Sequence, residues 1–381
     1  MNHIYHLPEH QTLRDQMQRF LEREVEPYGL EWEKAGKVPR EALRKMGEAG
    51  FFGLMYESEY GGAEADALTN LVFAEALSQS TFAGFIVSVL VHTDMASPHL
   101  HHAGTKAQKA KYMPGIIAGD TICAVAMTEP GAGSDLQGIR TRAVRDGDHY
   151  VLNGSKIFIT NGGSASLLML VTRTDPTERK RGLSLIMVET ENLAGYRVGR
   201  VLDKMGMPAQ DTAELFFEDV RVPADCLLGS EEGQGMYQLM GDLPYERLVI
   251  ALCGVGAMEG AVAATSQYVK ERKAFGQVIG TMQNIRFKLA ESATVTRIAR
   301  VFVDDCIQKL LVGKLDNETA SMAKYWVTDA QQQVIDECVQ MHGGYGYMNE
   351  YLVCRMFADS RVQRIYGGTN EIMKELISRS V

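Results

Sequence analysis

Apolar residues recur at intervals of three and four positions over residues 9–119, a spacing that predicts amphipathic helices in the first third of the chain. The pattern is interrupted at Gly61-Gly62, at Pro98 and at Gly104, where helices are predicted to break. Residues 1–120 are therefore predicted to form an all-helical first domain.

The pattern changes character over residues 121–228, where short runs of β-branched and apolar residues lie between Gly- and Pro-rich turns. The strands predicted there cover residues 122–127, 150–152, 157–159, 167–172, 183–188 and 213–222. The pair Asn153-Gly154 is typical of a two-residue hairpin turn, so a β-hairpin is predicted around it. The charged run 175–182 predicts an exposed loop, and the whole region predicts a compact β domain.

Long helical periodicity returns after residue 233 and continues to the C-terminus. The predicted helices cover residues 237–273, 281–312, 317–341 and 350–360, with a last helix after Thr369. Long consecutive helices of this kind favour a four-helix bundle for residues 229–381. The predicted fold class is α+β, with an N-terminal helical domain, a middle β domain and a C-terminal helical bundle.

Composition narrows the class of protein. The 381 residues carry 39 Lys and Arg against 48 Asp and Glu, a net charge of −9, which disfavours general affinity for nucleic acid or anionic membranes. Six scattered cysteines without a Cys-x-x-Cys pair indicate free thiols in a reducing compartment. Residues 1–9 lack a secretory signal, and the apolar stretches 82–91 and 248–262 are too short or interrupted for a membrane span. We expect the mature chain to start here and to be cytoplasmic.

Five motifs follow one another along the chain. They are residues 127–135 (MTEPGAGSD), 154–162 (GSKIFITNG), 271–276 (ERKAFG), 340–346 (QMHGGYG) and 364–371 (RIYGGTNE). In this order they resemble the acyl-CoA dehydrogenase family, and the resemblance covers essentially the whole chain. It implies three domains in the order helical, β and helical, FAD as cofactor, and a homotetramer.

The resemblance also implies a sequence position for the catalytic carboxylate. Most members have Glu at the position of Gly367, and glycine cannot accept a proton. Some long-chain-like and branched-chain-like members instead place the base on an earlier helix, and the matching stretch of this chain contains Glu246. A helical Glu-Arg pair is commonly a solvated ion pair, but apolar neighbours such as Leu248 favour an interior position, in which desolvation raises the carboxyl pKa. We expect Gly367 to leave open space where a second carboxylate would otherwise stand.

The first two motifs would hold the flavin ring. Taken alone, the Gly-rich turn at 131–133 is more often a tight turn than a ligand site, and it lacks the third glycine of a nicotinamide fingerprint. The resemblance places along the isoalloxazine the residues Val125, Met127, Thr128, Gly133, Ser134, Phe158, Ile159 and Thr160. Without that resemblance, Phe158 would be expected in the sheet core.

The later motifs would hold the rest of the cofactor. The resemblance assigns to the pyrophosphate and adenosine the residues Arg272, Phe275, Gln283, Gln340, Gly343, Gly344, Thr369 and Glu371, contributed by two subunits. Arg272 has the planar charged donors that a pyrophosphate needs, although a solvated arginine at a helix end is the plainer interpretation. The resemblance assigns the acyl-CoA to Ser134, Tyr245, Arg247 and Gly368. His99, His101 and His102 have no metal-ligand spacing with Cys or acidic residues, so no metal is expected.

The resemblance implies an FAD-dependent enzyme of fatty acid β-oxidation. It would convert a saturated acyl-CoA to the trans-2-enoyl-CoA, with Glu246 as base and an electron-transfer flavoprotein as electron acceptor. Two alternatives stay open. One is a flavin monooxygenase or oxidase of the same superfamily, and the other is a non-catalytic subunit that binds acyl-CoA or flavin. Acyl chain length and branching are not determined by these motifs.

Overall fold

The structure is a computed structural model, and it describes residues 7–381. Seven α-helices form the first domain: α1 Pro8–Phe20, α2 Gly29–Ala35, α3 Arg40–Glu48, α4 Ala67–Leu77, α5 Ala83–Leu90, α6 Ser97–Ala103 and α7 Lys106–Ala118. Pro98 begins a helix instead of ending one, because it occupies the first turn of α6, where its missing N–H has no partner to lose. Immediately before it, Val91–Ala96 forms a π-helical turn.

The middle domain begins after Gly119, whose left-handed backbone ends α7. Its strands are β1 Cys123–Ala126, β2 Arg142–Asp146, β3 His149–Thr160, β4 Leu167–Arg173, β5 Leu183–Glu189, β6 Tyr196–Val201 and β7 Thr212–Pro223. They form one sheet in the order β1-β4-β2-β3-β7-β6, with β5 paired to β4. Neither β2 nor β6 was anticipated, since both expose most of their side chains and lack an apolar alternation.

The predicted hairpin at Asn153-Gly154 is wrong. Residues 149–160 form the single strand β3, which pairs with β7 along its length through a register shift between Leu152 and Gly154. A Cβ at Gly154 would lie 2.5 Å from Thr141 Oγ1 and 2.7 Å from Thr141 Cα. The glycine is therefore required by the close approach of a neighbouring segment at a bulge, and no turn is needed.

The C-terminal domain contains the long helices α8 Gly235–Glu271, α9 Gln283–Leu311 and α10 Asn317–His342, followed by α11 Leu352–Ser360 and α12 Asn370–Ser378. A short ladder of β8 Lys273–Ala274 and β9 Gln277–Val278 connects α8 to α9. These bounds match the predicted helices to within about two residues. The α+β class and the predicted order of helical, β and helical domains are confirmed.

The two helical domains share one hydrophobic core. Buried residues of α1, α4 and α5, including Phe73 and Phe85, belong to the same cluster as Leu248 and Val255 of α8 and Val327 of α10. By length and composition α8 could span a membrane, but 61% of its most apolar window is buried inside the protein. Burial in a core explains that composition. All six cysteines are free thiols, four of them buried and two half-buried.

Candidate active site

Glu246 lies at the start of the fourth turn of α8, and its side chain is half-buried. Burial raises its pKa to about 7; negative charge on Asp242 and Asp94 adds to that rise, while His99 and Arg247 oppose it. Within residues 7–381 no cation lies in ion-pair contact with Glu246, so the plain interpretation as a surface ion pair does not hold. A carboxyl that titrates near neutral pH can take up a proton under physiological conditions.

Two histidines of α6 contact Asp242, which lies one helical turn before Glu246. Asp242 Oδ2 lies 3.0 Å from His99 Nδ1, and Asp242 Oδ1 lies 2.8 Å from His102 Nδ1. Burial alone would raise the pKa of Asp242, but the two histidines lower it well below its usual range. Asp242 was missed in the sequence, although its spacing of four residues from Glu246 places both on one helix face. His101 instead pairs with Glu57 at 2.9 Å.

Tyr245 was expected to contact substrate, but its hydroxyl is already engaged. It donates to Asp94 Oδ1 at 2.8 Å and accepts from Asn70 Nδ2 at 2.6 Å. Asp94 is fully buried, also accepts from Thr93 Oγ1 at 2.6 Å, and has a pKa raised by burial. Only the ring of Tyr245 is left for a ligand, since these contacts use both hydrogen-bonding functions of the hydroxyl.

Arg247 is buried and points away from Glu246 toward α10. Its Nη1 donates to Asn317 Oδ1 and, at 3.2 Å, to Ser321 Oγ. Its Nε is buried without a hydrogen-bond partner among residues 7–381. Desolvation lowers the pKa of the guanidinium. One donor of Arg247 is therefore still available for a ligand that approaches the start of α10.

The expectation of open space at Gly367 is wrong. A Cβ at Gly367 would lie 2.5 Å from Ile250 Cδ1, and the φ of +64° is one that side chains other than glycine rarely adopt. The next residue, Gly368, accepts a hydrogen bond at its carbonyl from Lys324 Nζ at 2.7 Å. Burial lowers the pKa of Lys324 to about 7. The end of one isoleucine thus occupies the place where a second carboxylate would begin.

The Gly-rich turn after β1 is fixed to β3 by a buried ion pair. Glu129 accepts hydrogen bonds from Lys156 Nζ at 2.9 Å and from the main-chain N–H groups of Arg140 at 2.7 Å and Thr141 at 2.8 Å. Ile157 N donates to Thr128 O at 2.9 Å. Burial lowers the pKa of Lys156 to about 8. The ring-side residues 125–134 and 158–160 are in this way placed beside one another.

Within that group, the side chains differ in what they can contact. Phe158 is 63% exposed and has a φ of +60°, so it is not part of the sheet core. Ile159 is buried in that core, and its contribution to a ligand can come only from its main chain. Thr160 is half-buried and Ser134 is exposed. Phe158, held out of the core in a strained conformation, presents a free aromatic face.

The ring-side residues lie at the same end of the molecule as Glu246. Ala132 of the Gly-rich turn, Leu100 of α6 and Leu239 of α8 belong to one buried cluster. Leu239 precedes Glu246 by two turns on α8. One buried cluster therefore connects the Gly-rich turn to the part of α8 that precedes Glu246.

Most of the residues assigned to the dinucleotide lie far from this end, whereas Thr369 and Glu371 follow Gly368, which lies beside Arg247. Arg272 follows the last turn of α8, 26 residues after Glu246, which corresponds to about 39 Å along the helix. Arg272 Cζ lies 5.2 Å from the centre of the Tyr345 ring, beside the exposed Gly343-Gly344 pair. Phe275 is 95% exposed, and Gln283 and Gln340 are exposed as well. Within one chain the residues around Arg272 and Glu246 do not form a single site.

The glycines of both groups leave room for a cofactor. A Cβ placed on Gly131, Gly343 or Gly344 would meet no atom within 4 Å. Close backbone approach to a phosphate needs such open glycines, and Arg272 adds positive charge beside two of them. Thr369 caps α12 by accepting from Ile372 N at 3.3 Å, and Glu371, two positions later, is exposed. The residues present fit a flavin dinucleotide.

Comparison with known proteins decides the family. The acyl-CoA dehydrogenase N-terminal, middle and C-terminal domains match residues 7–120, 124–220 and 233–381. The chain belongs to the acyl-CoA dehydrogenase family. Members of this family are FAD-dependent oxidoreductases, and the predicted family and enzyme class are confirmed.

Relatives of this acyl-CoA dehydrogenase match it from end to end. The long-chain specific acyl-CoA dehydrogenase of Mus musculus is 49% identical over 377 residues, which are 98% of this chain and 86% of the mouse protein. An acyl-CoA dehydrogenase structure from Geobacillus kaustophilus has a TM-score of 0.95, 45% identity and 99% coverage of both chains. The butyryl-CoA dehydrogenase of Megasphaera elsdenii has a TM-score of 0.93 and 33% identity, with 99% of both chains covered.

Proposed function

We propose that this acyl-CoA dehydrogenase oxidises a saturated acyl-CoA to the trans-2-enoyl-CoA, with Glu246 removing the α-proton. The observation that carries the proposal is the half-buried Glu246 carboxylate, whose pKa of about 7 suits a base at neutral pH. FAD, when bound, supplies the acceptor for the hydride lost from the β-carbon. The site residues named above are assigned to this reaction as part of the proposal.

Charged side chains of the protein lie near the proposed base Glu246. Asp242, held by His99 and His102, keeps a negative charge one turn from Glu246 and so favours its protonated form after proton transfer. Arg247 has a buried Nε without a partner, and its Nη2 lies 4.0 Å from the place of a Cβ on Gly368. Lys324 fixes the Gly368 carbonyl. We assign Arg247 and Gly368 to positioning of the acyl-CoA, with Ser134 and the ring of Tyr245.

The cofactor site would be completed by a second copy of the chain. Its ring would lie against Val125, Met127, Thr128, Gly133, Ser134, Phe158, the main chain of Ile159, and Thr160. Its pyrophosphate and adenosine would be held by Arg272, Phe275, Gln283, Gln340, Gly343, Gly344, Thr369 and Glu371. The separation of about 39 Å along α8 supports a shared site, as does Phe275, which is almost wholly exposed in one copy. A homotetramer is the assembly we propose.

The physiological setting follows from the same proposal. The mouse relative at 49% identity is named for long-chain acyl-CoA, which favours a long straight acyl chain for this enzyme. An electron-transfer flavoprotein would accept the electrons. The enzyme would act in fatty acid β-oxidation in the cytoplasm. An acyl carrier protein oxidase with 30% identity and a TM-score of 0.92 shares the fold, so the oxidase alternative needs an experimental answer.

The test is reduction of the protein's own flavin. The purified flavoprotein is mixed anaerobically with straight and branched acyl-CoA thioesters of several lengths, and the loss of yellow absorbance is followed. We expect bleaching and formation of the enoyl thioester, and reduced flavin that persists when air is admitted. Rapid reoxidation with formation of hydrogen peroxide would favour an oxidase, and an unchanged spectrum with every thioester would favour a non-catalytic subunit.

A further inference from the structure

A cavity of about 80 Å³ lies between the first domain and the helical bundle. Its wall includes Ile86, Val87, Cys253, Ala257, Gln331 and Gln363. The first two belong to α5, the next two to α8 and Gln331 to α10, while Gln363 follows α11. A water molecule needs roughly 10–15 Å³ of such volume, so the cavity has room for about five waters or for a segment of chain.

The cavity continues the face of α8 that carries Glu246. Cys253, Gly256, Ala257 and Gly260 border it, and they follow Glu246 by 7, 10, 11 and 14 residues. Residues with these spacings share one face of a helix. An acyl chain whose α-carbon is at Glu246 would therefore run into the cavity if it followed this face.

Two buried amides in the cavity wall have no partner. Gln331 is 1% exposed and Gln363 is 6% exposed, and within residues 7–381 the Oε1 atom of each lacks a hydrogen bond. The two oxygens converge beside Gly254, where a Cβ would lie 3.4 Å from Gln331 Oε1 and 3.6 Å from Gln363 Oε1. Buried amides are nearly always hydrogen-bonded, and two exceptions that point to one place indicate a missing polar group.

Several other buried polar groups of the wall are already partnered, while Gln79 of the wall is exposed. Ser78 Oγ donates to Glu75 O at 2.7 Å, Ser80 Oγ donates to Glu26 Oε1 at 2.8 Å, and Ser360 Oγ donates to Gln332 Oε1 at 3.2 Å. Asp359 accepts from Met207 N. The amide oxygens without a partner are thus confined to the surroundings of Gly254. They are not part of a cavity wall that is hydrated throughout.

We propose that this cavity is a subsite for the distal part of an acyl chain that carries a hydroxyl group, which hydrogen-bonds to Gln331 and Gln363. The proposal rests on the proposed function, because it takes the acyl thioester to be bound at Glu246. A hydroxyl both donates and accepts, which matches amides that can turn either their oxygen or their NH₂ group toward it. A plain methyl end would leave both amides unpaired.

The position of the hydroxyl follows from helix geometry. Gly254 is eight residues after Glu246, which corresponds to about 12 Å along α8. A fully extended chain advances about 1.2 Å per bond, taking three bonds per residue of an extended backbone. The hydroxyl is therefore expected about ten bonds beyond the α-carbon, on or near carbon 12.

The experiment compares matched thioesters on the flavoprotein as purified. Acyl-CoA chains of 8, 12 and 16 carbons are used with and without a terminal hydroxyl, and kcat/KM is measured with an electron-accepting dye. We expect the ratio of hydroxylated to plain substrate to be highest at 12 carbons. In the Gln331→Leu/Gln363→Leu variant that ratio should fall about tenfold, as expected for the loss of two hydrogen bonds. An equal ratio in both proteins overturns the proposal and leaves water as the partner of the amides.

Folding and specificity are controlled separately. Gln333→Leu makes the same change at an exposed position of α10 and should leave the ratio unaltered. Thermal unfolding of the double variant should occur at the same or a higher temperature, because leucine removes unpaired buried amides. A lower ratio in Gln333→Leu as well would overturn the proposal.

Binding distinguishes this proposal from the proposed function. In a Glu246→Gln background, the affinities of 12-hydroxydodecanoyl-CoA and dodecanoyl-CoA are measured by calorimetry with and without the two glutamines. A preference for the hydroxylated thioester that requires both glutamines supports the subsite, whether or not the native protein bleaches. Failure of the native protein to bleach with any thioester would contradict only the proposed reaction. Equal affinities overturn the subsite whatever the flavin does.

Discussion

The two ends of α8 differ in how complete they are within one chain. At the Glu246 end, Asp242, Tyr245 and Arg247 are each held by partners from α4, α6, α10 or the π-helical turn. At the Arg272 end, the side chains of Phe275, Gln283 and Gln340 are exposed. The difference indicates that a single chain preorganises the proton-accepting side of the site, whereas the dinucleotide side requires another surface.

The strongest test of the Glu246 end is the substitution Glu246→Gln. The amide cannot take the α-proton, so the rate of flavin bleaching should fall by a factor on the order of 10² to 10⁴ while the protein remains yellow. Stopped-flow absorbance with a saturating acyl-CoA measures this. The control Glu375→Gln, which removes an exposed pair with Arg379, should bleach normally. Bleaching at the native rate in Glu246→Gln would place the base elsewhere.

The matching test of the Arg272 end is Arg272→Gln. Loss of a charge-assisted contact to a pyrophosphate should weaken FAD binding about tenfold or more and leave the fold intact. Flavin release on dilution and subunit mass by light scattering measure affinity and assembly together. Arg44→Gln, at a surface pair with Glu41, serves as control. If flavin affinity is unchanged, the dinucleotide lies elsewhere and the contrast between the two ends is lost.

A rescue experiment sharpens the geometry at Gly367. In Glu246→Gln, the change Gly367→Glu alone should restore little activity, because the new side chain meets Ile250 Cδ1 at 2.5 Å. Adding Ile250→Val removes that methyl group, and we expect flavin bleaching to recover about tenfold over the Glu246→Gln background. The variant Glu246→Gln/Ile250→Val is the control. Recovery without Ile250→Val would mean that the side chain of Ile250 moves aside freely. If no combination recovers activity, side chains at positions 246 and 367 do not reach the same substrate carbon.

The smallest expected effect is the pH dependence. The base works deprotonated, so with a pKa raised to about 7 the bleaching rate should rise about tenfold from pH 6 and level off above pH 8. The titratable groups whose charge acts on the pKa of Glu246 are His99, Asp242, Arg247 and Asp94. A plateau that already begins at pH 5 would contradict the raised pKa.

The same shift has a consequence for stability. A carboxyl whose pKa is higher in the folded than in the unfolded protein favours folding fully below its unfolded value of 4.5, and this contribution is lost as the pH rises through about 7. Glu246→Gln should therefore gain stability relative to the native protein between pH 5 and pH 8. Urea unfolding at several pH values measures the difference, and a constant difference would argue against a buried carboxyl at this position.

Local pattern predicted much of the fold. The long helices of the bundle were placed because periodicity of 3.6 residues persists over several turns, and the end of α10 and the start of α12 were close to their predicted positions. The interior position of Glu246 was inferred from its apolar neighbours on one helix. The hairpin at Asn153-Gly154 was wrong because the same two residues also suit a bulge, and the choice depends on Thr141 passing nearby.

By itself, the sequence determined the order of domains, the family and the candidate base, because these depend on residue types and on spacings within single elements. Only the tertiary structure decided that His99 and His102 hold Asp242, that Ile250 fills the place beside Gly367, and that Gln331 and Gln363 meet unpaired at Gly254. These contacts join residues up to about 140 positions apart. Periodicity is a local property of the sequence, whereas such contacts depend on how whole helices pack. That packing determines the electrostatics and the shape of the site.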